Sequence, residues 1–532
     1  MSGRHATRER GAGDIVLGVD LGTSFLKVVA VDRTGTIRGL STTAVPVEST
    51  RSGVREVPVP EFRRMIATGI GDVLSAAAVT ASNVTAVSYS SQANSFLLLD
   101  ERLEALTPIV LWNDERAVGS ELSESVRAHF ERPDFLSTTG LGLSSSLFCM
   151  AKLDWYRRRR PDTWRQIGAV MTISDYFCFE MTGRRLGDSS TASLLGLWDV
   201  RGERYWEDAL SAVGLERSMV SRPARPCSPA GPCTGALARR LGIPAEAQFA
   251  IGSLDHLAAA RGAGVGAVAR ASESSGTVLA ALTVGEKFEP LPDASLGPDA
   301  VRGWFYTLGF EDVGASALAT FCRRRGRTLE GVAREARTAP AGCLGLICVP
   351  EMVTEAPGSG FFRADRTSAD ENRSTASVPD AVGFRAILEA LSARLARLLT
   401  YAGHGTMPDS VVSTGGGSRS DLWMEIKAAV CGVPFIRSEV PEPGAFGAAM
   451  YAAVAAGWFS SLDDCAARFP EPTDGGDRGG RRFAPSVSAD WYRTWPERYV
   501  RAVNRLERDG RLERDGRLER DGRLENDSDG GL

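Results

Sequence analysis

Apolar runs broken by short polar turns set the pattern of this chain from its first apolar stretch. Residues 14–32 read DIVLGVDLGTSFLKVVAVD. The runs at 15–19 and 26–31 predict two strands joined by a turn at 20–24. Residues 60–81 carry Phe62, Ile66, Ile70 and Leu74 at helical spacing, which predicts a helix with one packed face. Further strands are predicted at 84–90 and 96–99, with the string Gln92-Ala-Asn-Ser between them. The run at 108–111 leads into Trp112-Asn-Asp-Glu-Arg116. Residues 200–244 are broken by Pro and Gly and predict loops. The run 249–251 reads as a strand end stopped by Gly252. Asp255 and His256 follow, then a short Ala-rich helix at 257–261, glycines at 262, 264 and 266, and a polar turn at 272–277.

The second half predicts strands at 278–284, 302–310 and 343–349, and helices at 316–324 and 329–336. A polar stretch runs from 354 to 375. The clearest long helix is 384–401, with Ile387, Leu388, Leu391, Leu395 and Leu398 on its apolar face. A strand at 409–412 leads to Thr414-Gly-Gly-Gly417 and a helix from about Trp423. Residues 444–456, GAFGAAMYAAVAA, predict a small-residue helix suited to close packing under that glycine turn. From Arg505 the hexamer Arg-Leu-Glu-Arg-Asp-Gly repeats three times. Its charge and single Leu per repeat predict a solvated, disordered tail at 505–532.

A chain of 532 residues is too long for one core, so two large domains are expected. Hydrophobic residues make up 43% and charged residues 24%, an ordinary balance for a soluble globular protein. The formal net charge of −4 gives no reason to expect a nucleic-acid or membrane partner. Nine cysteines without a C-x-x-C pair, and four scattered histidines, argue against zinc and for reduced thiols in a cytoplasm. Residues 1–13 are polar and lack the apolar core of a signal peptide.

Chemistry concentrates at three places. In the first turn, Asp20 can hold Mg²⁺, and Gly22, Thr23 and Ser24, with Lys27 beyond, can approach phosphate oxygens. At the centre, Asp255 can take a hydroxyl proton, while Ser275, Gly276 and Thr277 can hold phosphate through backbone N–H groups. A lone Asp after a strand is more often a helix N-cap than a base, so Asp255 stands on the company it keeps. Near the end, Gly415, Gly416 and Gly417 with Ser420 make room for a nucleotide. The fragment Gly262-Ala-Gly-Val-Gly-Ala267 matches a dinucleotide fingerprint in letters only, because a helix precedes it where a strand is required. Gln92, Asn94, Trp112, Asp114, Arg116 and His256 suit a sugar pocket, where hydroxyls need donors and acceptors and an aromatic face packs on C–H groups.

The hairpin Asp20-Leu-Gly-Thr-Ser-x-x-Lys27 resembles the first phosphate motif of the actin, chaperone and sugar-kinase superfamily. The central segment 252–262 resembles the FGGY family of carbohydrate kinases, and the string 112–116 is similar to the sugar-contacting segment of xylulose kinases. The resemblance spans about residues 14–457. It implies an α/β fold of two actin-like (ribonuclease H-like) domains with an ATP cleft between them: an N-terminal extension 1–13, a sugar-site domain 14–262 and an adenosine-site domain 263–504. It implies Asp255 as catalytic base, ATP and Mg²⁺ as cofactors and a small sugar or polyol as partner, and leaves a homodimer open. The pieces at 173–183 and 188–192 also resemble the family and read as structural, with Gly183 capping a helix. The family's Gly-Glu-Arg-x-Pro element is replaced by Thr354-Glu-Ala-Pro357, without the arginine. Met, His and Gly, which follow Gln in the xylulose-kinase stretch, are here Ala93, Asn94 and Ser95, and His256 replaces the usual Asn. A sugar-binding regulator without kinase activity, or an actin- or chaperone-like ATPase, are the competing classes. Neither requires both Asp255 and the 112–116 string.

Overall fold

The computed structural model describes residues 13–50, 53–142, 145–354, 359–363, 378–469, 480–485 and 490–508. The chain forms two compact α/β units. The first gathers Met1–Val268, Val284–Thr307 and Glu439–Gly479; the second gathers Ala269–Thr283, Leu308–Ser438 and Gly480–Leu532. The first segment ends at Val268, past the boundary at 262 read from sequence. The later half then returns twice to the first unit.

The sheet of the first unit begins with the expected hairpin, Ile15–Leu21 against Phe25–Asp32, extended by Ile37–Ala44. On its other side Ile15–Leu21 runs parallel to Val84–Ser91, which runs parallel to Gln248–Ala250 and Ser253–Leu254. Asp20 was expected in the turn. The strand instead continues through Leu21, Asp20 faces Lys27 across the hairpin, and the turn tightens to residues 22–24. Helix Val59–Ala76 buries Phe62, Ile66, Ile70 and Leu74, the four positions read from its spacing. Between 200 and 244, where Pro and Gly predict loops, helices Glu207–Val213 and Ala236–Leu241 form. Each is closed by a glycine at positive φ, Gly214 and Gly242.

Helix Pro443–Ala455 belongs to the first unit, and its small residues pack against that unit's own strand and helix. A side chain at Gly18 would meet the Ala445 carbonyl oxygen at 1.9 Å, and one at Gly447 would meet the Ala258 carbonyl oxygen at 2.0 Å. Small residues announce close approach, but they do not say to what.

In the second unit, Ala271–Ser275 pairs antiparallel with Leu279–Gly285 and parallel with Val411–Thr414, which continues to Phe435–Arg437 and Arg481–Phe483. The polar stretch expected as a turn at 272–277 is therefore mostly a strand, stabilised by buried partners for its polar side chains, and the turn narrows to 276–278. Helix Asp380–Ala402 buries Ile387, Leu388, Leu391, Leu395 and Leu398. The expected strand at 343–349 shortens to Leu346–Cys348, because Cys343 and Leu344 take positive φ in a tight preceding turn. Most of 354–375 lies outside the described residues. Helix Trp495–Arg508 takes in the first four residues of the C-terminal repeats and buries Leu506 beside Val349; the remaining repeats lie outside the described residues. All nine cysteines are free thiols. Among the described residues no helix is long and apolar enough to cross a membrane.

Candidate active site

Two carboxylates meet at the carboxyl end of the first unit's parallel strands, the edge at which open α/β sheets bind ligands. Ser90 is the register partner of Asp20 on one side and of Ser253 on the other. Two strand spacings, about 10 Å, therefore separate the backbones on either side of it. Asp255 follows two residues after Ser253 and opens the helix Asp255–Gly262, with Asp255 Oδ1 accepting from the His256 N–H at 2.7 Å. Ser90 Oγ donates to Asp20 Oδ1 at 2.8 Å. Removal from water pushes the Asp20 carboxyl up to about 7. The Ser90 hydrogen bond and Lys27 oppose that rise, while the negative charges of Asp255 and Glu442 add to it. Lys27 binds Glu442 at 2.6 Å. Gly444, two residues on, lies against Asp20: a Cβ there would approach the carboxylate at 3.3 to 3.4 Å.

The strand end before Asp255 is tied down by buried polar groups. The Leu254 N–H donates to Ser190 Oγ at 2.9 Å, and Ser190 Oγ donates to Asp188 Oδ1 at 2.6 Å. Asp188 also accepts from Thr191, through N–H and hydroxyl, and from the Tyr89 hydroxyl. Ser253 Oγ is 3.0 Å from the Tyr451 hydroxyl, on helix Pro443–Ala455.

The 92–116 region forms one connected network. Gln92 Nε2 donates to the Gly22 carbonyl at 3.2 Å, Thr23 Oγ1 donates to Gln92 Oε1 at 3.4 Å, and Trp112 Nε1 donates to Thr23 Oγ1 at 2.8 Å. Trp112 keeps 41% of its surface exposed. Lys152 donates to the carbonyls of Leu111 and Trp112, and its own burial brings its amine down to about 8. Asn94 takes a left-handed backbone, φ 61°, and its Oδ1 accepts from the Cys149 N–H. Asp114 and Arg116, expected to touch sugar directly, are bonded here to the protein's own groups. Asp114 is fully buried, and its two oxygens accept from Arg55 N, Arg116 N, Arg116 Nε and Arg116 Nη2. Four acceptor positions are thereby filled by the protein itself. Arg116 goes on to Glu56 and the Tyr156 hydroxyl. The pair braces the segment that carries Trp112.

In the second unit, the carbonyls of Gly276 and Thr277 accept from Ala315 N and Gly314 N at 2.8 Å, where helix Ala315–Arg324 begins. Thr277 is exposed and Ser275 buried. Gly415 takes φ 77°, Gly416 has nothing within 4 Å of where a Cβ would sit, and Gly417 has no room for one beside Trp423 and Ser275. Ser420 caps helix Asp421–Cys431, accepting from the Trp423 N–H at 3.3 Å. Beneath both turns lies a buried ion pair, Lys427 Nζ to Glu273 Oε1 at 2.6 Å.

Family models for the N-terminal and C-terminal domains of the FGGY carbohydrate kinases match residues 15–262 and 332–456. The chain belongs to the FGGY family of carbohydrate kinases. It is 25% identical over 465 residues to a xylulose kinase of Bacillus subtilis (strain 168), covering 85% of this chain and 91% of that protein. It is 25% identical over 479 residues to an autoinducer-2 kinase of Yersinia pestis bv. Antiqua (strain Angola), covering 85% and 88%. A solved xylulose kinase from Rhodospirillum rubrum has the same fold, with TM-score 0.80 at 22% identity over 93% of this chain and 99% of that one. The chain is thus a sugar or polyol kinase with a two-domain α/β fold.

Several groups of this carbohydrate kinase escaped the sequence reading: Ser90, Glu442, Ser190 and the pair Glu273–Lys427. Ser190 lies in the piece 188–192 that reads as structural, and Lys427 left a signal of its own. It is one of four lysines in the chain and falls at helical spacing from the apolar Trp423, Met424 and Val430, a face on which a charge needs a buried partner.

Proposed function

We propose that this kinase transfers the γ-phosphoryl group of ATP to a hydroxyl of a small sugar, ketose or polyol, with Asp255 as the base. The observation that carries this reading is the pair Asp20 and Asp255 flanking Ser90 at one strand edge, close enough for the Asp255 charge to act on Asp20. Asp255 accepts the hydroxyl proton as the oxygen attacks, which raises the nucleophile's charge where phosphoryl transfer needs it. Asp20, backed by Ser90, is the metal ligand. Its setting fits a cation, since burial and two neighbouring carboxylates make its negative charge costly. Bound Mg²⁺ would supply positive charge to phosphate oxygens while keeping most of its waters. Glycine at 22, the backbone N–H of Thr23 and the hydroxyl of Ser24 serve phosphate oxygens, and Lys27 acts from its pair with Glu442. In the second unit, residues 275–277 hold phosphate, and Gly415 and Gly416, open above the backbone, lie along the adenosine.

Gln92, Asn94, Trp112 and His256 are proposed to meet the sugar, with Asp114 and Arg116 as the brace behind Trp112. The named relatives act on different molecules, a xylulose in one and autoinducer-2 in another, so the family leaves the substrate open. Ala93 leaves more room than Met, and Asn94 and His256 change the donors and acceptors on offer. A site built around particular hydroxyls rejects mismatched ones by up to roughly 10⁴–10⁵-fold. We therefore propose a ketose, polyol or cyclitol other than D-xylulose as the best substrate. ADP release measured across a panel of such compounds tests both statements. No turnover with any member overturns the kinase reading, and D-xylulose leading in kcat/KM overturns the substrate reading.

A further inference from the structure

We infer that Lys427 and Glu273 are positioning residues for the nucleotide, locking the turn at 275–277 to the glycine turn at 415–417. The inference rests on the proposal that these turns hold ATP. Lys427 and Glu273 are both fully buried. The ammonium has three donors, and three acceptors surround it: Glu273 Oε1 at 2.6 Å, Ser275 Oγ at 2.6 Å and Ser413 Oγ at 3.4 Å. Ser275 Oγ in turn donates to Glu273 Oε2 at 2.6 Å, and Ser413 Oγ donates to Glu273 Oε1. The ring of Trp423 lies 4.4 Å from the Lys427 nitrogen.

The two serines of this cluster sit at the roots of the turns, and Glu273 and Lys427 hold them from the strand and the helix behind. Ser275 is the last residue of its strand, directly before Gly276 and Thr277. Ser413 precedes Thr414 and the glycines, on the neighbouring parallel strand. A Cβ on Gly417 would fall 2.5 Å from Ser275 Cβ and 2.4 Å from the Trp423 ring. The two turns are thus in direct contact, and the cluster fixes their separation from below. Stability alone explains such a pair poorly, because well-packed neutral residues commonly serve a core as well or better. A fixed geometry for groups that must meet phosphate and ribose together is what a fully bonded buried pair provides.

The test compares the full chain with the double variant Lys427→Met/Glu273→Gln, which removes both charges and keeps the volumes. Melting temperature and the Kd for ADP with Mg²⁺, by calorimetry, are the readouts, and Gly416→Val serves as the probe of the turn itself. The expected result is a melting temperature near that of the parent with an ADP Kd raised about ten-fold or more, the scale of one well-placed hydrogen bond to a charged group. If Gly416→Val weakens ADP and the double variant binds it as the parent does, the positioning role is overturned while the nucleotide site stands. If the parent does not bind ADP, or Gly416→Val leaves binding unchanged, the nucleotide reading fails and takes this inference with it. A double variant that does not fold also overturns it, in favour of a purely structural pair.

Discussion

Ser90 and Asp20 stand opposite one another on adjacent parallel strands, and the serine hydroxyl donates to the aspartate at 2.8 Å. This hydrogen bond works against burial: it favours the charged carboxylate at a place where removal from water and the charges of Asp255 and Glu442 disfavour it. A carboxylate so placed gains from a cation, and the serine keeps it aimed from behind.

Asp20→Ala should therefore raise the Mg²⁺ concentration needed for half-maximal activity and lower turnover at any fixed Mg²⁺. Ser90→Ala should move the same quantity in the same direction by a smaller amount, since it removes one hydrogen bond and leaves the carboxylate. An Mg²⁺ titration of the three proteins decides it, and superimposable curves would refute the metal-ligand role.

Asp255→Asn should lower kcat by roughly 10²–10⁴-fold, the usual contribution of a positioned base. ADP binding should persist, because the amide is isosteric and the turns at 275–277 and 415–417 belong to the other unit. Wild-type turnover in this variant would remove Asp255 from the chemistry.

Local features of this site were legible in the sequence because a turn or a strand end is specified by neighbours. The hairpin of Ile15–Leu21 and Phe25–Asp32, the helix opened by Asp255 and the glycines at 415–417 are all of this kind. Long-range partners were not. Asp114 reads as a free polar residue until Arg55, 59 positions earlier, is found donating to it, and Glu273 reads as part of a polar turn until Lys427, 154 positions later, is found beside it. A period-two or period-3.6 pattern reports which face is buried, not what meets it there. The same gap separates recognising 443–455 as a close-packing helix from knowing that it packs on Gly18 and Ala258.

Ser190→Ala tests how the base is held. The variant removes the acceptor for the Leu254 N–H, a buried group that then has no partner at that position. A loss of kcat of about ten-fold with little change in KM for ATP is expected, since the strand end carrying Asp255 loosens while the second unit is untouched. Ser190→Thr, which keeps the hydroxyl, should recover part of the rate. Equal losses in both variants would point to packing alone.

His129 offers a test of stability against pH. Its ring is 4% exposed, packs 4.5 Å from Trp206 and 5.7 Å from Phe135, and has Nε2 buried without a partner. Burial first, and the neighbouring Arg132 charge second, bring its pKa from 6.5 down to about 4. Between those values the unfolded chain binds a proton that the folded chain refuses. Stability from this residue is therefore complete above pH 6.5 and lost as pH falls toward 4, by on the order of 3 kcal/mol in the limit. Other groups titrate in the same range, so the comparison is with His129→Phe, which keeps the aromatic packing and removes the proton site. The parent should lose more stability than the variant in denaturant melts between pH 7 and pH 4.5. Parallel profiles would mean that His129 can be protonated in the folded state at little cost.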